Sequence, residues 1–398
     1  GRVSLLGLRR AARQGKQRAK QSLDHPHGLP PERFAERVSY ISAIVSPRLF
    51  YTRPMKPLTA GVLTRLADGD FHSGEALARA LDVSRASVWN AVRDLEVVGL
   101  EIYKVHGRGY RLPHPLTLLD RAAIERDLGG SVARFAIDVR TVVDSTNTAL
   151  LERAAAGAPG GTVLAAEWQP GGRGRLGRAW HAGVGEALTF SLLWRFSRGA
   201  GALSGLSLAV GVALARALAA AGVPGAALKW PNDVLWNGRK LAGILIELTG
   251  DALGPTAAVI GIGINVRVSE AARARIDQPV ADLEAACGAA PERNRLLATV
   301  LIELERVLEA FAREGFAPLR AEWQHAHAHQ GKRVTLSLPD GSRQAGLARG
   351  VAEDGSFLLE TRAGVKRFHS GEITLRVRGE TRDERRETAQ KLRSTSRP

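Results

Sequence analysis

A chain of 398 residues with 44% hydrophobic side chains has length enough for two or three domains and one sizeable core. Its single cysteine, Cys287, excludes an intrachain disulfide and a cysteine-built zinc site, and points to a reducing, cytoplasmic compartment. The formal charge of +16 suggests nucleic acid until it is located: residues 1–55 carry eleven Lys/Arg against three Asp/Glu, half of the excess, so the remainder is only mildly basic.

Residues 1–54 mix Arg, Pro and small side chains without periodicity and without the apolar run of a signal peptide, and read as a basic, disordered extension. Met55, the only methionine, stands directly before the first patterned segment, which makes it a candidate start; an Arg-rich targeting segment is the rival reading. From Leu58 the pattern is helical, with Val62, Leu63 and Leu66 on one face. Ser73 caps a second short helix, and after the Asp82-Val83 turn Ser84 caps a third with Val88, Val92, Leu95 and Val98 at three- and four-residue steps. With residues 101–112 folding back through Gly107-Arg108-Gly109, residues 55–115 read as a winged helix-turn-helix that ends in the stiff Pro113-His114-Pro115 linker. Arg85, Ser87, Asn90 and Arg93 on the third helix and Arg108 on the wing are the candidate DNA contacts, suited to phosphates and base edges. The module's own charge is near neutral, so a protein-contact domain is the competing reading.

A helix over 116–129 and a strand over 135–143 lead to Asp144-Ser145-Thr146-Asn147, with a helix from 148. Ser145 suits a helix cap, and the hydroxyl and amide groups of Ser145, Thr146 and Asn147 equally suit a small polar ligand. A strand over 162–168 enters residues 169–180, QPGGRGRLGRAW. Its glycines free the backbone to turn successive N–H groups toward one spot while Arg173, Arg175 and Arg178 surround that spot with guanidinium charge, a combination that wants an anion. Gly172, Gly174 and Gly177 also match G-x-G-x-x-G, yet a strand follows rather than a helix, and no GK[ST] follows the glycines, which excludes dinucleotide and P-loop readings. A flexible basic surface loop remains the bland alternative.

The uncharged run between Arg198 and Arg216 reads as a buried helix rather than a membrane span. Residues 227–236 carry KWPND and an Asn237-Gly238 hairpin, returning through KLAGILIE with Gly243 inside the strand; residues 257–266 carry GIGINV. An amphipathic helix spans 293–314. His325, His327 and His329 alternate, a spacing that would suit a metal on an extended segment, but no carboxylate accompanies them. Short strands from 334 to 368 indicate a small barrel, and the charged tail 379–398 reads as disordered.

In the order STN, GRGRLGRAW, KWPND, KLAGILIE, GIGINV, the sequence resembles the biotin-protein ligases, and the helix-turn-helix in front makes it similar to the bifunctional class that also represses the biotin operon. The resemblance implies an α+β multidomain protein: a winged helix-turn-helix (55–115), a mixed-sheet ligase domain related to class II aminoacyl-tRNA synthetases (116–328) and an SH3-like barrel (329–378). It implies biotin contacts at Ser145, Thr146, Asn147, Gln169, Arg173, Gly174, Arg175 and Lys229, with Arg173, Arg175 and Lys229 catalytic. It places Gly172, Gly177, Arg178, Trp180, Lys240, Gly243 and Asn265 around the adenylate. It further implies ATP and Mg²⁺ with biotin as substrate and no prosthetic group, Asp233 being a possible aid to the ion. The implied partners are biotin carboxyl carrier protein, operator DNA and a second copy of the chain when adenylate is bound, with no membrane. Leu176 stands where the family is often basic, and residues 1–54 have no counterpart. A lipoate-type acyl-adenylate ligase and a catalytically silent DNA-binding sensor stay open as rivals.

Overall fold

The computed structural model describes residues 55–250 and 254–375, which fall within one compact unit of the chain. The extension 1–54 and the tail 379–398 lie outside the described residues. Helices α1 (Pro57–Leu66), α2 (Gly74–Ala80) and α3 (Arg85–Val97) close over Val62, Leu63, Leu66, Leu77, Val88, Val92 and Leu95. Ser73 and Ser84 cap the second and third by accepting the Ala76 and Ser87 N–H groups, as serine before an apolar repeat should. The wing is β1 (Tyr103–Val105) against β2 (Gly109–Arg111), and Tyr110 pairs further with His72. Gly109 has φ 104°, and a Cβ there would lie 2.1 Å from the His72 carbonyl oxygen, so the wing can pack this closely only with glycine.

The helix expected over 116–129 starts late, as α4 (Arg121–Leu128). Residues 116–120 run extended because side chains replace the helical bonds. The Thr117 carbonyl accepts from Arg293 at 2.7 Å, the Leu118 carbonyl from Asn294 at 3.2 Å, and Glu167 accepts the Leu119 N–H. Glu167 and Arg293 are themselves a buried ion pair, 2.8 Å apart.

A mixed sheet follows, built from β3 (Ala136–Val142), β4 (Thr162–Trp168), β5 (Ala187–Phe196), β6 (Ala227–Lys229), β7 (Asp233–Trp236), β8 (Arg239–Gly250) and β9 (Thr256–Asn265). The seven strands lie in the order β3-β4-β5-β9-β8-β7-β6, with β3 and β4 parallel and the other pairs antiparallel. Helix α5 (Thr146–Ala155) crosses one face and α6 (Leu206–Ala220) the other; after the short α7 (Glu270–Arg273) and α8 (Leu283–Cys287), α9 (Arg293–Glu314) packs on α6. Alternation along the strands divides the labour. Leu188, Phe190, Leu192, Ile244, Ile260, Ile262 and Ile264 join the main core with α6 and α9. The opposite face carries Thr189, Ser191, Gly243, Glu247, Gly261 and Gly263, and so leaves room for a site. By length and composition the stretch Ala200–Ala220 could span a membrane, with a mean hydropathy of 1.7, but it is a core helix, 61% of its apolar window lying buried.

Past α10 (Arg320–His325), strands β10 (Arg333–Ser337), β11 (Arg343–Val351), β12 (Phe357–Thr361), β13 (Gly364–Phe368) and β14 (Glu372–Leu375) form an antiparallel sheet ordered β13-β12-β11-β10-β14. Trp230 ties it to the central sheet, donating to the Gly355 carbonyl at 3.1 Å and packing on Phe357.

Candidate functional site

Three adjoining strands present a shallow bay because glycines fall in register: Gly243 pairs with Gly263, which pairs with Thr189, and Leu245 and Ser191 both pair with Gly261. The Trp180 indole rests on this bay, where a Cβ at Gly263 would come within 2.7 Å of the ring. Two connected hollows open around it. The larger, about 430 Å³, is lined by Arg175, Arg178, Trp180, His181, Asn232, Asp233, Lys240, Asn265, a segment 275–278 and Glu372. The smaller, about 60 Å³, is lined by Ser145, Thr146, Asn147, Gln169, Arg173 and Gly243, and Gly174, Arg175, Trp180, Asn232 and Lys240 belong to both. Most residues singled out from the sequence therefore converge, though drawn from separate strands and loops.

Ser145 caps α5, its Oγ accepting the Thr148 N–H at 3.4 Å, while Gln169 Oε1 accepts the Thr146 N–H at 2.6 Å. Ser191, which sequence reasoning missed, lies 2.7 Å from Thr146 Oγ1 and 2.6 Å from Asn147 Oδ1. One hydroxyl proton cannot serve both, so the Thr146 hydroxyl supplies the first and Ser191 donates to Asn147. Asn147 gives its two Nδ2 hydrogens to the Leu245 carbonyl at 3.2 Å and to Glu247 at 2.9 Å. Its donors are thus spent on the protein, and Asn147 holds the wall in place. A serine inside the apolar run of β5 was the available signal for Ser191; nothing local marked Glu247.

The glycine-arginine loop departs from expectation in one respect. Five of its N–H groups are turned to the chain itself rather than to an open spot: those of Gly171, Gly172, Gly174, Arg178 and Trp180 bond to Asp144, Gln169, Arg178, Arg175 and Gly172 carbonyls. Leu176 and Gly177 turn the chain at φ 56° and 73°, which closes the loop on itself. Its positive charge is carried by three arginine side chains. Arg175 points inward and donates to Asn232 Oδ1 at 3.2 Å, and burial lowers its pKa from the ordinary arginine value. Arg173 pairs with Glu247 at 3.1 Å, and Arg178 pairs with Glu372 of the C-terminal sheet. Gly172 and Gly177 shape the loop without lining either hollow.

Lys229, expected at the reacting atoms, lines neither hollow; its Nζ lies 4.0 Å from Asp233. Burial pushes its ammonium below the usual lysine range, opposed by Asp233 and reinforced by Lys240 and Arg178. Lys240 Nζ lies 2.8 Å from Asp233 Oδ1. A carboxylate flanked by two ammonium groups is a poor ligand for a divalent cation, so Asp233 does not fit the metal role considered for it, and among the described residues no His/Cys/Asp/Glu group could hold a metal. The histidine triplet fails likewise. His325 is exposed at the end of α10, while His327 and His329 are buried in the junction before β10, where burial holds each near a pKa of about 4.

On the winged helix Arg85, Asn90 and Arg93 are exposed along α3, and Arg108 stacks on Phe71 at 4.2 Å. The Ser87 hydroxyl instead meets the Ser84 cap at 2.9 Å. Trp89, missed from the sequence, is 47% exposed beside Arg93, whose guanidinium lies 4.8 Å from its ring.

Residues 139–265 match the biotin/lipoate A/B protein ligase family, residues 62–111 a helix-turn-helix domain, and residues 329–376 the biotin protein ligase C-terminal domain. The bifunctional ligase/repressor BirA of Escherichia coli is 39% identical over 316 residues, 79% of this chain and 96% of that protein. This chain belongs to the biotin/lipoate A/B protein ligase family. Within the family it sides with the bifunctional ligase/repressors, since the match to BirA runs through the helix-turn-helix as well. A biotin–acetyl-CoA-carboxylase ligase of Mycobacterium tuberculosis is 37% identical over 63% of this chain and 92% of its own. The biotin protein ligase of Aquifex aeolicus, solved with biotin and ATP, superposes with a TM-score of 0.52 at 30% identity, covering 60% of this chain and 98% of that one.

Proposed function

We propose that this family member joins biotin to ATP as biotinyl-adenylate, passes the biotinyl group to a lysine of a biotin carboxyl carrier protein, and represses transcription through its winged helix. The observation that carries the reading is the two-part cleft: a small polar end at Ser145, Thr146 and Gln169 continuous with a larger cationic end at Arg175, Arg178 and Lys240. The small end suits an uncharged polar head group and the large end a nucleotide, with the reacting atoms at the shared wall, where Arg175 and Lys240 stand. A biotin carboxylate oxygen attacks the α-phosphorus, the α–β phosphoanhydride bond breaks and pyrophosphate leaves. Two anions approach in that step, so Arg173, Arg175 and Lys240 screen their repulsion and hold the charge that develops, with Lys229 offsetting the negative charge of Asp233 beside Lys240. The carrier amine then attacks the acyl carbon, an amide forms and AMP departs. The buried, unpartnered Trp180 Nε1 is a donor in wait of a ligand acceptor.

The finer readings belong to the same proposal. Mg²⁺ arrives on the phosphates of ATP rather than on a protein carboxylate. The central sheet is of the class II aminoacyl-tRNA synthetase type and the C-terminal strands close as an SH3-like barrel, with the work divided at about residues 115 and 328. A ligand-loaded homodimer is supported by β8, which pairs with β7 only as far as Gly243, so that among the described residues no strand pairs with that edge over 246–250, where Leu248 is exposed. The setting is cytoplasmic. The test is incorporation of labelled biotin into a carrier domain with ATP and Mg²⁺, beside the same assay with lipoate. Absence of biotin transfer, or a preference for lipoate, would overturn the assignment.

A further inference from the structure

Glu247 stands behind Asn147 and Arg173, which line the smaller hollow, and belongs to neither set of expected ligand groups. Its carboxylate accepts from Asn147 Nδ2 at 2.9 Å and pairs with Arg173 at 3.1 Å, and the same Arg173 nitrogen donates to the Thr148 hydroxyl at 3.0 Å. Asn147 has no freedom of its own: its Oδ1 takes the Ser191 hydroxyl, its second hydrogen goes to Leu245, and a Cβ on Gly261 would stand 2.1 Å from Oδ1. The amide is therefore aimed by Glu247 together with Ser191, and Thr146 is aimed through Ser191 in turn.

We infer that Glu247 is a positioning residue with two tasks: it fixes the amide that shapes the polar end of the cleft, and it holds Arg173 in the empty protein as a stand-in for the ligand's carboxylate. This rests on the biotin-ligase reading of the site. A guanidinium engaged by an internal carboxylate stays in its working neighbourhood and keeps the loop docked to α5 and β8. When a substrate carboxylate enters, Arg173 exchanges one anion for another, and Glu247 keeps Asn147. The pair is half-exposed, with side-chain exposures of 42% and 27%, so the exchange is cheap enough to be reversible.

The two tasks separate by substitution. Glu247→Gln keeps an oxygen acceptor for Asn147 and removes the competing charge, so KM for biotin should hold or fall by about threefold with kcat nearly unchanged. Glu247→Ala leaves the amide unheld, and KM should rise by about tenfold, again with a smaller change in kcat. Trypsin reads the second task without any substrate: the empty Gln variant should be cut after the loop arginines faster than wild type, and biotin with ATP should abolish the difference. Gln raising KM as much as Ala would overturn the inference, as would an unchanged KM in both variants or an unchanged rate of loop cleavage. If wild type itself fails to use biotin, the functional reading fails, while the cleavage of the empty protein still tests the latch.

Discussion

Replacing Arg175 with alanine removes the guanidinium common to both parts of the cleft. Hydrogen bonds to charged groups contribute about 1.5–3 kcal/mol each. Since about 1.4 kcal/mol is tenfold in an equilibrium constant, loss of one such bond to the acyl-phosphate oxygens should weaken adenylate retention by about tenfold to a hundredfold. The fold should lose little. Asn232 gives up the 3.2 Å bond from Arg175, but its Nδ2 still donates to the Ile244 carbonyl at 2.8 Å, and its own carbonyl still accepts the Ile244 N–H at 3.0 Å. The freed amide oxygen borders an open hollow where water can bond it. Pyrophosphate exchange and the dissociation rate of labelled adenylate measure the effect, with thermal unfolding alongside. Wild-type synthesis and wild-type leakage would refute the placement of the reacting atoms at this wall.

Other outcomes are expected elsewhere in the molecule. Glu167→Ala strands the Arg293 guanidinium in the interior and should destabilise the protein by about 3–5 kcal/mol, read by denaturant unfolding; a loss below about 1 kcal/mol would mean that the carbonyls of Thr117 and Ala187 suffice for Arg293. His327 and His329 take up protons near 6.5 when unfolded but only at about 4 when folded, so the stability that depends on their neutrality is complete above pH 6.5 and is lost as pH falls toward 4. Each histidine contributes a slope of about 1.4 kcal/mol per pH unit in that window, and His329→Phe should make urea unfolding shallower in pH by one proton; an unchanged slope would rule the histidine out. Arg93→Ala should weaken operator binding and, if the contact is to phosphate, lower the salt slope by about one, while biotin transfer proceeds at the wild-type rate. A parallel fall in transfer would point to misfolding instead.

Local chemistry is legible in the sequence. Serine ahead of an apolar repeat announced the caps at Ser73, Ser84 and Ser145, the Asn237-Gly238 pair announced a hairpin, and α9 spans Arg293–Glu314 as its periodicity required, because caps, turns and amphipathic faces depend on neighbours a few residues away. The crowding of glycine and arginine in residues 169–180 raised the expectation of an anion site on its own. What the tertiary structure decided is how those residues spend their bonding capacity. Five of the loop's N–H groups turned inward to carbonyls of the loop and its flanks, Asn147 was saturated by Ser191, Leu245 and Glu247, and Asp233 was enclosed by Lys229 and Lys240. Residues 116–120 gave up a helix for partners at Glu167, Arg293 and Asn294, the last two about 176 positions away. Such choices are made by strand register and by side chains that meet only after the sheet has closed, and a pattern read along the chain carries no term for them.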